Sequence, residues 1–220
     1  MPHSISSLAS LALALAIAAP VASAADPAGA ADLATRLASG TRSAQDKQRD
    51  GGRKPAEVVT FLGIAPGMTV IDLIAAGGYY TEVLSVAVGP EGKVYAHNSE
   101  YVLKMRDGAN DKAMTSRLAG SRLANVERLD REIAELGLAP ASLDVAFTAL
   151  NFHDVYNGRG PEAAAAFLTA VYRLLEPGGL LGLIDHVGNP GGPNKDLHRI
   201  DPAIARAAAV EAGFAIEAES

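Results

Sequence analysis

The fold is decided by residues 68–80, which read MTVIDLIAAGGYY. Residues 68–73 are a short apolar run, and such a run predicts a buried strand of a parallel sheet. Small residues and a pair of glycines follow as a turn, and a helix is predicted from about Thr81 to Val88. A strand, a tight turn and a helix in succession predict an α/β domain.

The chain on both sides of this stretch continues the alternation of strands and helices. Further strands are predicted at residues 93–98, 125–129, 143–152, 180–187 and 214–218. Helices are predicted from Pro55, over residues 100–119 and 161–175, and from Pro202 to Gly213. The pattern predicts a Rossmann-like, doubly wound and mostly parallel sheet of about six strands, with helices on both faces.

Composition limits the classes of function. The chain has 220 residues, of which 49% are hydrophobic, so one sizeable core is expected. The net charge of −6 argues against a basic surface that binds nucleic acid. No cysteine is present, which excludes disulfides, thiolate zinc sites and cysteine nucleophiles.

The N-terminus has the pattern of a signal peptide. Residues 1–24 contain no Asp, Glu, Lys or Arg, and an apolar run is followed by Pro20 and by small residues at Ala22 and Ala24. This pattern predicts cleavage after Ala24 and a periplasmic or secreted protein, without stable membrane insertion after cleavage. The alternative is an Ala-rich N-terminal helix. Residues 25–50 are predicted to be a flexible, partly helical lead-in, and residues 51–220 form the α/β domain.

Polar and small residues follow the predicted strands, at the sheet edge where ligands bind in folds of this type. Asp72 ends the first strand and precedes Ala76, Gly77 and Gly78, whose small side chains let a ligand approach the backbone. Asn98 ends the second strand, where a polar side chain can bind ribose hydroxyls. An ordinary tight turn and a helix N-cap at Asn98 are the alternatives.

The histidines favour a site at the same edge. His97, His153, His186 and His198 fall at predicted strand ends or in the loop after the fifth strand. Imidazole is the side chain whose ordinary pKa suits proton transfer near neutral pH. We therefore expect these four rings to gather near the turn at residues 74–78.

On these residues the chain resembles class I S-adenosylmethionine-dependent methyltransferases, and among them a group of exported bacterial methyltransferase-like proteins. The resemblance runs from about Arg53 to Ser220. Its specific parts are residues 53–57, 67–82, 151–154 and 197–202. The resemblance implies S-adenosyl-L-methionine as the cofactor and methyl transfer to a small-molecule acceptor, which the sequence does not identify.

The resemblance also assigns cofactor residues. Asp72 and Gly78 match the acidic residue and a spaced glycine of the family's first motif, whereas Ile74 and Ala76 stand where glycines are usual. Gly77 lies within the same motif. At the ribose, Asn98 stands where the family usually has an acidic residue, and Asp130 matches the residue that usually meets the adenine amine. Asn151 is predicted to hold the amino end of the cofactor.

On the acceptor side, methyl transfer requires an aligned acceptor and a group that removes its proton. His153 is the predicted base, and Asp154 orients its ring or contacts the substrate. Five further residues are predicted to contact the substrate or cover the pocket: Tyr79, Tyr80, His186, His198 and Arg199. Packing of the turn is the alternative for the two tyrosines, and a surface salt bridge is the alternative for Arg199.

Two other functions compete with methyl transfer. Export separates the protein from a cytoplasmic cofactor, which favours a catalytically inactive, methyltransferase-like binding protein in the periplasm. A metal-assisted enzyme would use the imidazoles and carboxylates of His153, Asp154, Asp185, His186 and His198, whereas the methyltransferase hypothesis assigns no metal. The resemblance also implies a C-terminal hairpin, of which the sequence contains only the first half, and no oligomeric state is predicted.

Overall fold

The computed structural model describes residues 27–220, so the predicted signal peptide lies outside the described residues. The helices are α1 (Pro27–Ser39), α2 (Ala44–Arg53), α3 (Pro55–Phe61), α4 (Tyr79–Val88), α5 (Glu100–Leu118), α6 (Phe152–Arg159), α7 (Pro161–Leu174) and α8 (Pro202–Glu211). The strands are β1 (Thr69–Leu73), β2 (Lys93–Asn98), β3 (Val126–Asp130), β4 (Leu143–Ala149) and β5 (Leu175–Ile184). No helix within residues 27–220 has both the length and the apolar character that a membrane crossing requires.

The five strands form one parallel sheet in the order β3-β2-β1-β4-β5. The predicted Rossmann-like class is therefore confirmed. The chain reverses its direction of strand addition between β1 and β4, where Leu73 pairs with Thr148 in register. Ligands in open α/β sheets bind at such a switch point, so the carboxyl ends of β1 and β4 locate the candidate site.

The predicted sixth strand is not formed, because residues 214–220 have no regular secondary structure. Phe214 packs edge-on against Tyr172 of α7, with ring centroids 5.1 Å apart. Glu219 accepts a hydrogen bond from Arg206 of α8. These contacts hold the segment against the helices rather than beside β5, which pairs with β4 alone among the described strands.

The sheet is buried on both faces, as its continuous apolar strands predict. Val70 faces a cluster with α1, α3 and α4, whereas Ile71 and Leu73 face a second cluster with α6 and α7. The alternation along β1 assigns one side of the sheet to each cluster. Asp72 points to the same side as Val70, which places its carboxyl group under α4.

The N-terminal segment is more regular than the lead-in that the sequence predicts. Helices α1 and α2 replace most of it, and Leu33 and Leu37 of α1 are buried in the core. Ser43 caps α2 by accepting a hydrogen bond from the backbone N–H of Asp46. The segment therefore contributes directly to the packing around α4.

Two further differences affect the candidate site. Helix α5 is interrupted at Met105–Gly108, where Arg106 and Asp107 adopt left-handed backbone angles. Strand β4 ends earlier than predicted, because Leu150 takes a φ of 62° and turns the chain into α6. His153 and Asp154 therefore lie in the first turn of a helix rather than at the end of a strand.

Candidate functional site

The loop after β1 has the backbone of a glycine-rich loop although it contains few glycines. Ile74, Ala76 and Gly78 have φ angles of 57°, 50° and 81°, so every second residue is left-handed. A residue with a Cβ atom loses roughly 1–2 kcal/mol in this conformation. Strain of this kind persists only where the surroundings fix it, and such positions concentrate at functional sites.

Neighbouring strands fix the loop through hydrogen bonds. The Asn98 carboxamide accepts from the Ala76 N–H at 2.8 Å and donates to the Ala76 carbonyl oxygen at 3.1 Å. On the other side, the Asn151 amide donates to the Ile74 carbonyl oxygen at 3.2 Å. The Asn98 side chain is fully buried, so it positions the loop and does not extend toward a ribose as predicted.

Asp72 also acts inside the protein. Its carboxyl group accepts a hydrogen bond from the Thr81 hydroxyl at 2.6 Å. Because Gly78 has no side chain to cap α4, this carboxyl group binds the first turn of the helix from below. Burial raises the pKa of Asp72 to about 7, although the hydrogen bonds from Thr81 and the charge of Arg117 oppose the rise.

The two glycines of the loop allow α5 to pack closely. A Cβ atom on Gly77 would lie 3.0 Å from the Ala113 Cβ, and one on Gly78 would lie 2.9 Å from the Met114 Cε. The face of the loop that these glycines leave open is therefore filled by protein. A ligand on this loop cannot occupy the side that Ala113 and Met114 fill.

A buried network of charges supports this arrangement. Arg117 donates to the Gly77 carbonyl oxygen at 2.9 Å and to Asp46 at 2.8 Å, and it also binds Glu82. Arg122 binds the same Glu82 carboxylate. Burial alone would raise the pKa of Glu82, but Arg122 and Arg117 hold it below its usual value.

The tyrosines that the sequence predicts to cover the substrate are buried instead. The Tyr79 hydroxyl donates to Asp50 at 2.6 Å, and its ring packs against three arginines from the N-terminal segment. The Tyr80 ring packs edge-on against Phe147, and its hydroxyl donates to the Arg53 carbonyl oxygen at 3.3 Å. Both tyrosines therefore pack the turn, which is the alternative to a substrate contact that the sequence left open.

Two further predicted site residues lie at the carboxyl ends of β2 and β3. Asp130 lies opposite Asn98 in the sheet register, and its carboxylate pairs with Arg128 at 2.7 Å. His97 is buried, and its Nε2 atom lies 3.0 Å from the Arg131 carbonyl oxygen. Burial lowers the pKa of His97 to about 4 despite this backbone contact, so the ring is neutral and joins β2 to the loop after β3.

The other histidines form a cluster at the ends of β4 and β5. His153 is 4% exposed, and its Nδ1 atom lies 2.5 Å from Asp185 Oδ1. Asp185 also accepts from the backbone N–H groups of His153 and His186, each at 2.7 Å. Because the carboxylate only accepts, Nδ1 carries a ring proton, and in the neutral ring Nε2 is the acceptor.

Asp154 and His198 complete the cluster on its solvent side. The His153 Nε2 atom lies 3.4 Å from Asp154 Oδ1, and the His198 Nδ1 atom lies 2.8 Å from the same oxygen. The ring centroids of His186 and His198 are 6.2 Å and 5.6 Å from that of His153. Three of the four histidines expected at one edge are therefore in contact, whereas His97 has a separate environment.

Arg199 does not extend into this cluster. Its Nη1 atom donates to the Val187 carbonyl oxygen at 2.8 Å, and its own carbonyl oxygen accepts from Asn157. The Arg199 side chain thus ties the loop after β5 to itself, and its backbone carbonyl group ties the loop to α6. Neither a substrate contact nor a surface salt bridge, the two roles that the sequence suggests, describes these bonds.

Comparison with known proteins identifies the fold. No protein-family model and no curated protein matches the chain. A solved S-adenosylmethionine-dependent methyltransferase from Aquifex aeolicus is 25% identical, with a TM-score of 0.59 over 77% of this chain and 86% of that one. An arsenic(III) S-adenosylmethionine methyltransferase from Chlamydomonas reinhardtii is 20% identical, with a TM-score of 0.54 over 68% of this chain and 52% of that one.

A third structure supports the same fold. Phosphoethanolamine N-methyltransferase 1 from Haemonchus contortus, solved with phosphoethanolamine and S-adenosylhomocysteine, is 18% identical. It has a TM-score of 0.51 over 72% of this chain and 30% of that one. These structural neighbours are methyltransferases, and the fold of this chain is the Rossmann-like fold of class I S-adenosylmethionine-dependent enzymes.

Sequence reasoning missed several residues that shape the site. The pairing of Asp185 with His153 was not predicted, although the Asp-His sequence at the end of β5 was a usable signal. Asp46, Glu82 and Arg117 gave no signal, because Asp46 and Arg117 are separated by 71 positions. Only the packing of α2 and α5 against α4 brings these charges together.

Proposed function

We propose that the chain transfers a methyl group from S-adenosylmethionine to a small-molecule acceptor. One observation carries the proposal: the strained loop after β1 and the His153–Asp185 pair lie side by side at the switch point of the sheet. Asn151 joins them, since it binds the Ile74 carbonyl oxygen and stands two residues before His153. A cofactor loop and a proton acceptor are thus held in a fixed relation.

The residues present fit the cofactor through their backbone. The left-handed positions 74, 76 and 78 reproduce the course of a glycine-rich loop. The cofactor would lie across the carboxyl ends of the strands beside residues 74–78, with Asn151 after β4 at one end and Asp130 of β3 at the other. The Asn98 and Asp72 side chains support the loop from inside, so their part in binding is to hold its shape.

When bound, the cofactor supplies an electrophilic sulfonium methyl group. The protein aligns the acceptor with that methyl group and accepts the acceptor's proton. His153 can accept this proton when its ring is neutral, because Asp185 binds Nδ1 and leaves the Nε2 lone pair available. Asp185 then stabilises the imidazolium that forms.

Calorimetric titration of a chain that begins at Ala25 tests the binding step. We expect measurable binding of S-adenosylmethionine and tighter binding of S-adenosylhomocysteine. The variant Asn98→Ala should weaken both, because it releases Ala76 from its two hydrogen bonds. Asn157→Ala, which removes one amide bond to Arg199, is the matched control. No heat of binding with millimolar S-adenosylhomocysteine would disprove the proposal.

Transfer of labelled methyl groups into a small-molecule extract tests the chemical step. In His153→Ala the rate should fall by about 10²–10⁴-fold, which is the usual contribution of a general base. The affinity for S-adenosylhomocysteine should stay within a factor of about two, because the ring lies on the acceptor side. Binding without any transfer by the unmodified chain would favour the inactive binding protein instead.

We also propose that the protein is exported. The support is the uncharged apolar segment before Ala24 and the small residues at Ala22 and Ala24. Expressed in a bacterial host, the mature protein should be found in the periplasm with Ala25 as its first residue. Ala24→Phe should retain the precursor, whereas Ser23→Phe, at a position that tolerates bulk, should not. An unprocessed N-terminus on the unmodified chain would contradict this proposal.

A further inference from the structure

We propose that His153, Asp154 and His198 bind one divalent transition-metal ion. One ligand atom from each residue lies within 4.8 Å of the others. The set of two imidazoles and one carboxylate is the donor combination that zinc and iron(II) accept. The residues come from the start of α6 and from the loop before α8, so the fold rather than a sequence motif assembles them.

The distances between the donor atoms are close to those between ligands of one metal ion. Two ligands bound about 2.1 Å from a zinc ion at the tetrahedral angle are about 3.4 Å apart. The His153 Nε2 atom lies 3.4 Å from Asp154 Oδ1. His198 Nδ1 lies 2.8 Å from that oxygen, so a small rotation of this exposed ring would bring it to the same spacing.

The orientation of the His153 ring provides a second geometric argument. Its Nδ1 atom lies 2.5 Å from Asp185, so its Nε2 atom faces the Asp154 carboxylate, on the side where His198 lies. The 3.4 Å between Nε2 and Asp154 Oδ1 is longer than an ordinary hydrogen bond and matches the spacing of two ligands on one ion.

Asp185 is placed like the carboxylates that support histidine ligands in metal sites. A histidine ligand commonly donates its second ring N–H to a carboxylate, which fixes the ring and increases its basicity. Asp185 does this for His153, and it is itself held by the backbone N–H groups of His153 and His186. Asp185 is therefore a positioning residue rather than a ligand.

The site would be open on one side. Side-chain exposure is 4% for His153 but 59% for Asp154 and 69% for His198. Three protein ligands with a solvent-facing side leave positions for water or substrate, as catalytic metal sites do. Because a bound ion uses the Nε2 lone pair of His153, the proton transfer proposed above for this residue applies to the metal-free protein.

The test uses untagged protein from Ala25, treated with a chelator and then titrated with zinc chloride. One equivalent should bind with micromolar or tighter affinity, and cobalt(II) should give visible absorption bands of a low-coordinate site. His198→Ala, at an exposed position, should lower zinc affinity by at least about 100-fold. His153→Ala should do the same, and Asp185→Asn should lower it by about 10–100-fold.

His186→Gln is the matched control, because its ring lies beside His153 but outside the proposed ligand set. Zinc affinity should be unchanged in this variant. The absence of stoichiometric binding at about 100 µM zinc, a concentration well above what a built site needs, would overturn the inference. Equal affinity in His198→Ala and the unmodified chain would overturn it too. S-adenosylhomocysteine titrated into the same samples tests the proposed function separately, since that cofactor product does not need the metal.

Discussion

The loop after β1 and the histidine cluster after β4 lie at the same edge of the sheet. They differ in whether their polar side chains are bonded inside the protein or face solvent. Around the loop, Asn98, Asp72 and Glu82 are buried and bonded to other parts of the protein. In the cluster, the inner side of His153 is bonded to Asp185, whereas Asp154 and His198 bind each other and face solvent. Polar residues at strand ends therefore divide into those that shape the site and those that are available to a ligand.

The largest effect is expected where a charge on the loop side is removed. In Glu82→Gln, Arg117 and Arg122 lose the carboxylate that they share in a buried position. Breaking a buried ion pair costs about 3–5 kcal/mol, and we expect about 3 kcal/mol here, because Arg117 keeps its bond to Asp46 and Arg122 is 30% exposed. Urea unfolding should show this loss of stability.

The exposed pair of Glu57 with Lys54 supplies the matched control, since Glu57 also lies in the first turn of a helix and pairs with a cation. Glu57→Gln should unfold at the same urea concentration as the unmodified chain. If Glu82→Gln and Glu57→Gln behaved alike, the buried network would not be what holds the loop.

Two buried groups on the loop side should make stability depend on pH in opposite directions. Asp72 has its pKa raised from 3.8 to about 7, so folding is disfavoured progressively as pH rises from about 4 to 7. His97 has its pKa lowered from 6.5 to about 4, so stability is lost as pH falls over that range. The two effects offset each other between about pH 4 and 6.5, and each is about 3 kcal/mol across that interval.

Single variants should reveal the two opposing slopes. Asp72→Asn keeps a partner for Thr81 and should leave a protein whose stability increases with pH up to about 6.5. His97→Gln should leave one whose stability decreases up to about pH 7. Denaturant unfolding at half-unit steps of pH measures both. Parallel pH profiles for the two variants would show that neither group is buried as described.

The sequence was informative about the fold because the fold depends on local patterns. Apolar runs, turns at glycine and proline, and the apolar face of α7 predicted β1, β2 and β3 to within about one residue and located β4, β5 and most helices. Strand β5 was predicted too late in the chain, because residues 177–179 were interpreted as a turn but belong to the strand. The sequence did not predict the structure correctly where contacts between distant segments determine it. Phe214 begins an apolar run that looks like a strand, yet its ring packs on Tyr172 and leaves β5 at the edge of the described sheet.

The candidate site was predictable only in part, for the same reason. The position of His153 beside the switch point follows from strand order, which local patterns indicate. The partner of each polar residue did not follow, because partners are contributed by distant segments. Asn98 could be placed at the end of β2, but its bonds to Ala76 depend on the left-handed course of the loop.

A smaller effect is expected from the amide that fixes the loop. Asn98→Ala leaves the Ala76 N–H and carbonyl groups without their partners in a largely buried place. Such a loss costs about 2 kcal/mol, and the same variant should weaken S-adenosylhomocysteine binding. Asn157→Ala, at a partly exposed amide, should change stability by no more than about 0.5 kcal/mol. A variant that lost stability but bound the ligand normally would mean that the loop shape is not part of the binding site.

The smallest effect concerns the strain itself. Ala76→Gly should raise the free energy of unfolding by about 1 kcal/mol, because glycine accepts a φ of 50° without the Cβ contact. Ala141→Gly relieves the same kind of strain, at a φ of 53°, in a turn before β4, and should be equally stabilising. Comparing the two variants separates the effect of backbone strain on stability from its effect on ligand binding. If the loop binds the cofactor, Ala76→Gly alone should tighten S-adenosylhomocysteine binding several-fold in calorimetry, because it also removes a methyl group from the binding face. Equal affinities in both variants would show that the strain at Ala76 belongs only to the geometry of the turn, as it does at Ala141.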